Sequence, residues 1–147
     1  MTRFSAETDE VLRSAGWREG RHVQTAEWRE QFEQRGITMH DAAERFLAEF
    51  GGISVDISAP GISRAREPFE LDPSLAYGEE DRFSEWGEEV GASLFPVGEL
   101  DQGRFFLAID EESVIYLIAD WLARFGAMPA ALDNLVLGVA PEIVIEG

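Results

Sequence analysis

Apolar residues recur first at a helical period. Between Ser5 and Ala15, Val11, Leu12 and Ala15 share one face, and Gly16 supplies a stop before Trp17. A turn at Arg18-Glu19-Gly20-Arg21 leads to Thr25, which caps a second helix running through Arg35, with Trp28 and Phe32 one turn apart and Gly36 as terminator. The third helix is the most regular: from Asp41 to Phe50, residues Ala43, Phe46, Leu47 and Phe50 stand at i, i+3, i+4 and i+7, and Gly51-Gly52 ends it. The period then drops to two. Ile53, Val55 and Ile57 alternate with Ser54, Asp56 and Ser58, the mark of a half-buried strand. Pro60, Pro68 and Pro73 punctuate an irregular stretch around a short strand near Phe69 to Leu71.

A fourth helix is predicted from Glu79 to Val90, with Phe83, Trp86 and Val90 inward and Gly91 closing it. Three strands follow, Ser93 to Val97, Arg104 to Asp110 and Ser113 to Ala119, joined by a loop around Asp101-Gln102-Gly103 and a tight turn at Glu111-Glu112. Trp121 to Phe125 either extends this meander or begins a short helix. Pro129 to Leu137 forms a last helix on Leu132, Leu135 and Val136. Helices followed by a run of strands imply an α+β fold, a mostly antiparallel sheet with helices packed on one face. Trp28, Phe46, Phe50, Phe83 and Trp86 are expected in its core. A chain of 147 residues fits a single domain spanning 1–147.

The chemistry that most enzymes need is missing from this pattern. There is no G-x-S-x-G, no phosphate-cradling Gly-rich loop and no H-E-x-x-H, so no catalytic residue, metal ligand or cofactor is assigned. The two histidines, His22 and His40, are far apart and read as structural or surface residues. Asp110, Glu111 and Glu112 lack the D-x-[DN]-x-[DN]-G spacing of a calcium loop, and a hairpin turn accounts for them better. The absence of Cys excludes a disulfide framework. The amino terminus has no apolar signal region, and the longest apolar run, Val114 to Ala119, is too short for a membrane helix. A cytoplasmic location is expected. All 12 basic residues are Arg, a codon bias that points to a GC-rich bacterial genome.

Charge changes the picture more. The net charge is −17, and it is unevenly placed: residues 1–66 carry 9 Arg and 11 acids, whereas residues 67–147 carry 3 Arg and 18 acids. Such a field repels nucleic acid and anionic membrane and steers a basic protein inward. On the fourth helix, Asp81, Glu85 and Glu88 line the face opposite the apolar one. Acids in the first turn suit the helix dipole, but Glu88 and Glu89 lie at its negative end. Asp81 with Glu85, and Glu85 with Glu89, are like-charge pairs that each cost about 0.2–0.5 kcal/mol. Stability alone does not select this arrangement, so Asp81, Glu85, Glu88 and Glu89 are the first candidates for contact with a partner. The Asp110, Glu111 and Glu112 turn is the second. In a meander the latter would lie roughly 20–24 Å from the end that gathers Glu99, Asp101 and Asp120, too far for one small pocket to use both. Asp120 itself reads as the cap of a following helical turn.

Taken in order, these features resemble the SUKH superfamily, and within it the SUKH-3 type of bacterial immunity protein. The resemblance is carried by Ala15-Gly16-Trp17, the Trp28 helix, the run from Ala42 to Ile53 with its Gly51-Gly52, Phe95-Pro96-Val97-Gly98-Glu99, the strand Phe105 to Asp110, and Ile115-Tyr116. It extends from about Glu7 to Gly138. It implies an α+β fold and neutralisation, by direct binding, of a cognate protein toxin, often a nuclease or deaminase. No catalytic residues carry over. The superfamily also contains regulatory scaffolds, which would bind several host proteins rather than one toxin. Relatives tend to place a Gly in the turn that is Glu111-Glu112-Ser113 here, which puts a type I′ turn at that point in doubt.

Overall fold

A computed structural model describes residues 3–146. Three helices come first: α1 (Ala6–Ser14), α2 (Ala26–Glu33) and α3 (Asp41–Phe50). Short strands β1 (Ser54–Val55) and β2 (Phe69–Glu70) precede a 3-10 turn at Pro73–Ala76 and helix α4 (Glu80–Val90). Then follow β3 (Phe95–Leu100), β4 (Phe105–Ile109), β5 (Val114–Ile118), β6 (Leu122–Ala127), α5 (Ala130–Leu137) and β7 (Glu142–Ile145). The seven strands form one sheet in chain order, every neighbour antiparallel, so the fold is α+β as expected.

Two helix starts are capped by side chains, whereas Thr25, expected to cap a second helix running through Arg35, stands before α2 without a side-chain cap bond, and α2 ends at Glu33. Ser5 caps α1 by accepting from the Thr8 amide. His40 caps α3: Nδ1 accepts from Ala43 N at 3.1 Å, which leaves the proton on Nε2 to face the Ser93 and Ile109 carbonyls at 3.0 and 3.2 Å. One histidine thus fastens the start of α3 to β3 and β4. Gly91 and Gly138 adopt left-handed φ of 70° and 72° and close α4 and α5.

Several expectations are corrected. The choice left open at Trp121 to Phe125 resolves as strand: Leu122 to Phe125 lie in β6, which pairs with β5 on one side and β7 on the other, and Trp121 sits in the turn before it. The structure adds a strand beyond those expected, β7, where Ile143-Val144-Ile145 carries the β-branched signal. Asp120 caps no helix: it sits in the β5–β6 turn with its side chain 96% exposed, 3.5 Å from Arg82. The alternation at Ile53 to Ser58 holds for burial, yet only Ser54–Val55 is paired as strand.

The sheet is covered on both faces, not one. Phe106 meets Phe83 of α4 with ring centroids 5.7 Å apart, while Ile109, of opposite parity in the same strand, lines a cavity with Phe46 and Phe50 of α3. Phe105–Ile109 and Val114–Ile118 are near-continuous apolar runs, which is how a strand buried on both sides reads. The core is one cluster of residues from Phe4 to Val136. Phe46, Phe50 and Phe83 are buried in it, whereas Trp28 and Trp86 are half-buried and pack on its margin.

The turns exchange roles. At the β3–β4 loop, Arg104 N donates to Asp101 O, and the central residues Gln102 and Gly103 have φ of 56° and 86°, so the type I′ geometry is here. At the β4–β5 turn, Ser113 N donates to Asp110 O and only Ser113 is left-handed, with φ 64°. That is a three-residue loop with Ser113 in the position that favours glycine.

Candidate partner-binding face

Helix α4 forms on a buried stripe of Glu80, Phe83 and Gly87, with Trp86 and Val90 flanking it. Glu80 is an acid used internally. Its carboxylate accepts from Gly78 N at 2.8 Å and pairs with Arg35 at 3.2 Å. Burial pushes its carboxyl up, but the Gly78 and Glu80 amides and the Arg35 guanidinium outweigh that and hold it below the ordinary range. Gly87 lets the chain turn back tightly: a Cβ there would lie 2.7 Å from the Ala92 carbonyl oxygen. At the start of the helix Arg82 reaches Asp120, and Trp86 Nε1 donates to Ala119 O at 3.3 Å, so the first half of α4 rests over the β5–β6 turn.

Asp81, Glu85, Glu88 and Glu89 all stand exposed on the opposite side. In the β4–β5 turn, Glu111 and Glu112 are exposed as well. Glu111 is anchored: its Oε1 accepts from Ser93 N at 2.7 Å, and this bond, with further help from its own amide and His40, holds its carboxyl below the usual range against the opposing effect of burial. Asp110 is different. It is 5% exposed, with Oδ1 accepting from the Glu112 and Val114 amides and Oδ2 from the Tyr116 hydroxyl. Burial, then the bond to Asp110, pushes the Tyr116 hydroxyl up to about 12. Asp110 therefore builds the turn that displays Glu111 and Glu112, and its own carboxylate points inward.

The two candidate patches meet. Glu88 from α4 and Glu111 from the turn line one open groove of about 440 Å³, whose other walls include Gly36, Gly87, Gly91 and Ser93. These small side chains leave the space between the carboxylates open. Because Arg82 ties the other end of α4 to Asp120, the helix spans the ends of the meander that sequence distance had set apart, and its acids make one ridge between them. No expectation from sequence joined these patches, since the Ser93–Glu111 bond links residues 18 positions apart.

The three arginines of residues 67–147 do not neutralise this ridge. Arg82 faces Asp120, Arg104 faces Asp101 and Arg124 faces Glu142. Asp81, Glu85, Glu88, Glu89, Glu111 and Glu112 take part in no ion pair among the described residues. A second acidic cluster comprises Glu70 on β2 and Glu99 on β3, which are direct cross-strand partners, and Asp72, which caps the 3-10 turn. Burial first, then Glu70 and Asp72, pushes the Glu99 carboxyl up.

Among the described residues, no group of three or more His, Asp or Glu side chains is arranged to hold a metal, and no helix is long and apolar enough to cross a membrane. The family model described as SUKH-3 immunity protein matches residues 4–138. No curated protein and no solved structure matches the chain.

Proposed function

Because the chain belongs to the SUKH-3 immunity protein family, we propose that it neutralises a cognate toxin by direct contact, presenting the α4 ridge and the β4–β5 turn to a basic surface. The observation that carries this proposal is the shared groove of Glu88 and Glu111 on a ridge whose exposed acids form no ion pair among the described residues. A toxin that acts on nucleic acid needs a basic track for phosphates. Carboxylates spaced along a rigid helix compete for the same arginines and lysines, and their field raises the encounter rate before any contact forms.

In this role the chain occludes and performs no turnover, and no residue is assigned a catalytic part. Asp81, Glu85, Glu88, Glu89, Glu111 and Glu112 make the contact, and Asp110 supports it from beneath. The test is co-expression with the product of the neighbouring reading frame. That product is expected to be lethal alone, tolerated with this chain, and recovered with it as a complex. Survival without complex formation, or equal binding to several unrelated host proteins, would overturn the proposal and favour a scaffold.

A further inference from the structure

Another groove lies between α1 and the free edge of the sheet. Its volume is about 850 Å³, within the range of about 300–1,000 Å³ typical of built binding clefts. Strand β1 is the first in the sheet order and, among the described residues, pairs with β2 alone, so no strand lies beside its outer edge. The bonding pattern fixes which peptide groups that edge offers. Ile53 N donates back to Phe50 O, but Ile53 O accepts from Leu71 N, and with Ser54 opposite Glu70 and Val55 opposite Phe69 this turns the Val55 N–H and C=O toward β2. By the alternation of an antiparallel ladder, the N–H and C=O groups of Ser54 and Asp56 then face outward.

The edge is short, with two paired residues, and Asp56 is the one charge between Ser54 and Ile57. No proline, lysine or bulge interrupts Ser54 to Ile57, and α1 stands off from the strand instead of covering it. Val11, Ala15 and Ile57 give the groove an apolar lining, and Glu7, Glu10 and Asp56 give it an acidic one. Glu7 is bonded to Arg66, while Glu10 and Asp56 take part in no ion pair among the described residues.

We infer that this groove receives an extended basic segment of a partner protein, which adds to β1 as an eighth strand. Main-chain bonds to Ser54 and Asp56 supply the register, alternate apolar side chains settle on Val11, Ala15 and Ile57, and Lys or Arg side chains between them meet Glu10 and Asp56. Helix α1 is about 14 Å long, which sets the engaged stretch at about four extended residues. A second copy of this chain suits the groove poorly, since it would bring another −17 of charge to an acidic rim. This edge shares no residue with the α4 ridge.

The experiment titrates the full, isotope-labelled chain with a short synthetic peptide alternating Val and Arg, and follows backbone amides by NMR. The Ser54 and Asp56 amides should shift downfield and exchange more slowly. N-methylation of the peptide at alternate residues should weaken binding about tenfold or more, the equivalent of one or two lost main-chain bonds. The double variant Glu10→Gln/Asp56→Asn should weaken it also, while Glu85→Lys/Glu88→Lys leaves the Ser54 and Asp56 shifts in place. Shifts centred on α4, indifference to N-methylation, or a dimer of the chain alone whose interface protects Ser54 and Asp56 would each overturn the inference. None of these results depends on a toxin being identified, so failure here is distinguishable from failure of the α4 proposal.

Discussion

At Gly98 and Gly51 the neighbouring backbone leaves no room for a side chain. A Cβ on Gly98, at the bulge of β3 against β4, would come within 1.9 Å of the Glu70 carbonyl oxygen on the other side of β3, and one on Gly51 would meet Leu47 O at 2.5 Å and the Trp28 ring at 2.8 Å. Both close approaches are long-range facts, invisible in a string that shows only a glycine. Burial grades the aromatic residues in the same way. Phe83→Ala should lower stability by about 3–5 kcal/mol, the usual cost of emptying a buried aromatic site. Trp28→Ala, at the margin, should cost clearly less, and urea midpoints of the two variants check the order. Titration adds a further residue-level expectation. Glu80 and Glu111 are held below the ordinary carboxylate range, so their stabilisation is full above about pH 4.3 and is lost as pH falls through their lowered values. Glu99 is pushed up, so its penalty is present at neutral pH and is relieved as pH falls through its raised value. The denaturation midpoint should therefore rise from neutral into mild acid and fall below about pH 4, with Glu99→Gln reducing the rise. A midpoint that declines steadily from pH 7 would contradict these assignments.

At the scale of elements, α4 is the informative case. Its acids oppose its own dipole and one another, and reversing two of them should not harm the fold. Glu85→Lys/Glu88→Lys is expected to leave thermal stability unchanged or slightly raised, since like-charge pairs are removed and cations gather toward the negative helix end. A loss of stability would mean that these carboxylates make structural contacts. The helices were legible because period and terminators agree: α3 spans Asp41–Phe50 as the apolar spacing predicts, and Gly91 and Gly138 end α4 and α5. The sheet was legible in outline only. Trp121 to Phe125 was ambiguous because a short apolar run suits either a strand or a buried helix, and pairing to both β5 and β7 decides it. Asp120 looked like a cap because its type suits one, but a reach across to Arg82 is what occupies it. The one-sided sheet failed on the unbroken apolar runs of β4 and β5, whose meaning depends on α4 covering a face that the sequence order does not place.

For the whole molecule, the charge imbalance was plain in the sequence, whereas its shape was not. Nothing in the order of residues says that Glu88 and Glu111 border one groove, or that Asp110 turns inward while its neighbours turn out. Folding converts an acidic half-chain into a ridge along α4, about 16 Å long, comparable with the screening length of about 8 Å at physiological salt doubled. Steering by such a ridge acts on association more than on dissociation. The most direct measurement is the association rate with the purified cognate toxin as a function of salt, for the chain and for Glu85→Lys/Glu88→Lys. The account predicts a fast rate that falls steeply with salt for the chain, and a slower, flatter dependence for the variant at unchanged stability. Identical rates and identical salt slopes for the two proteins would contradict it.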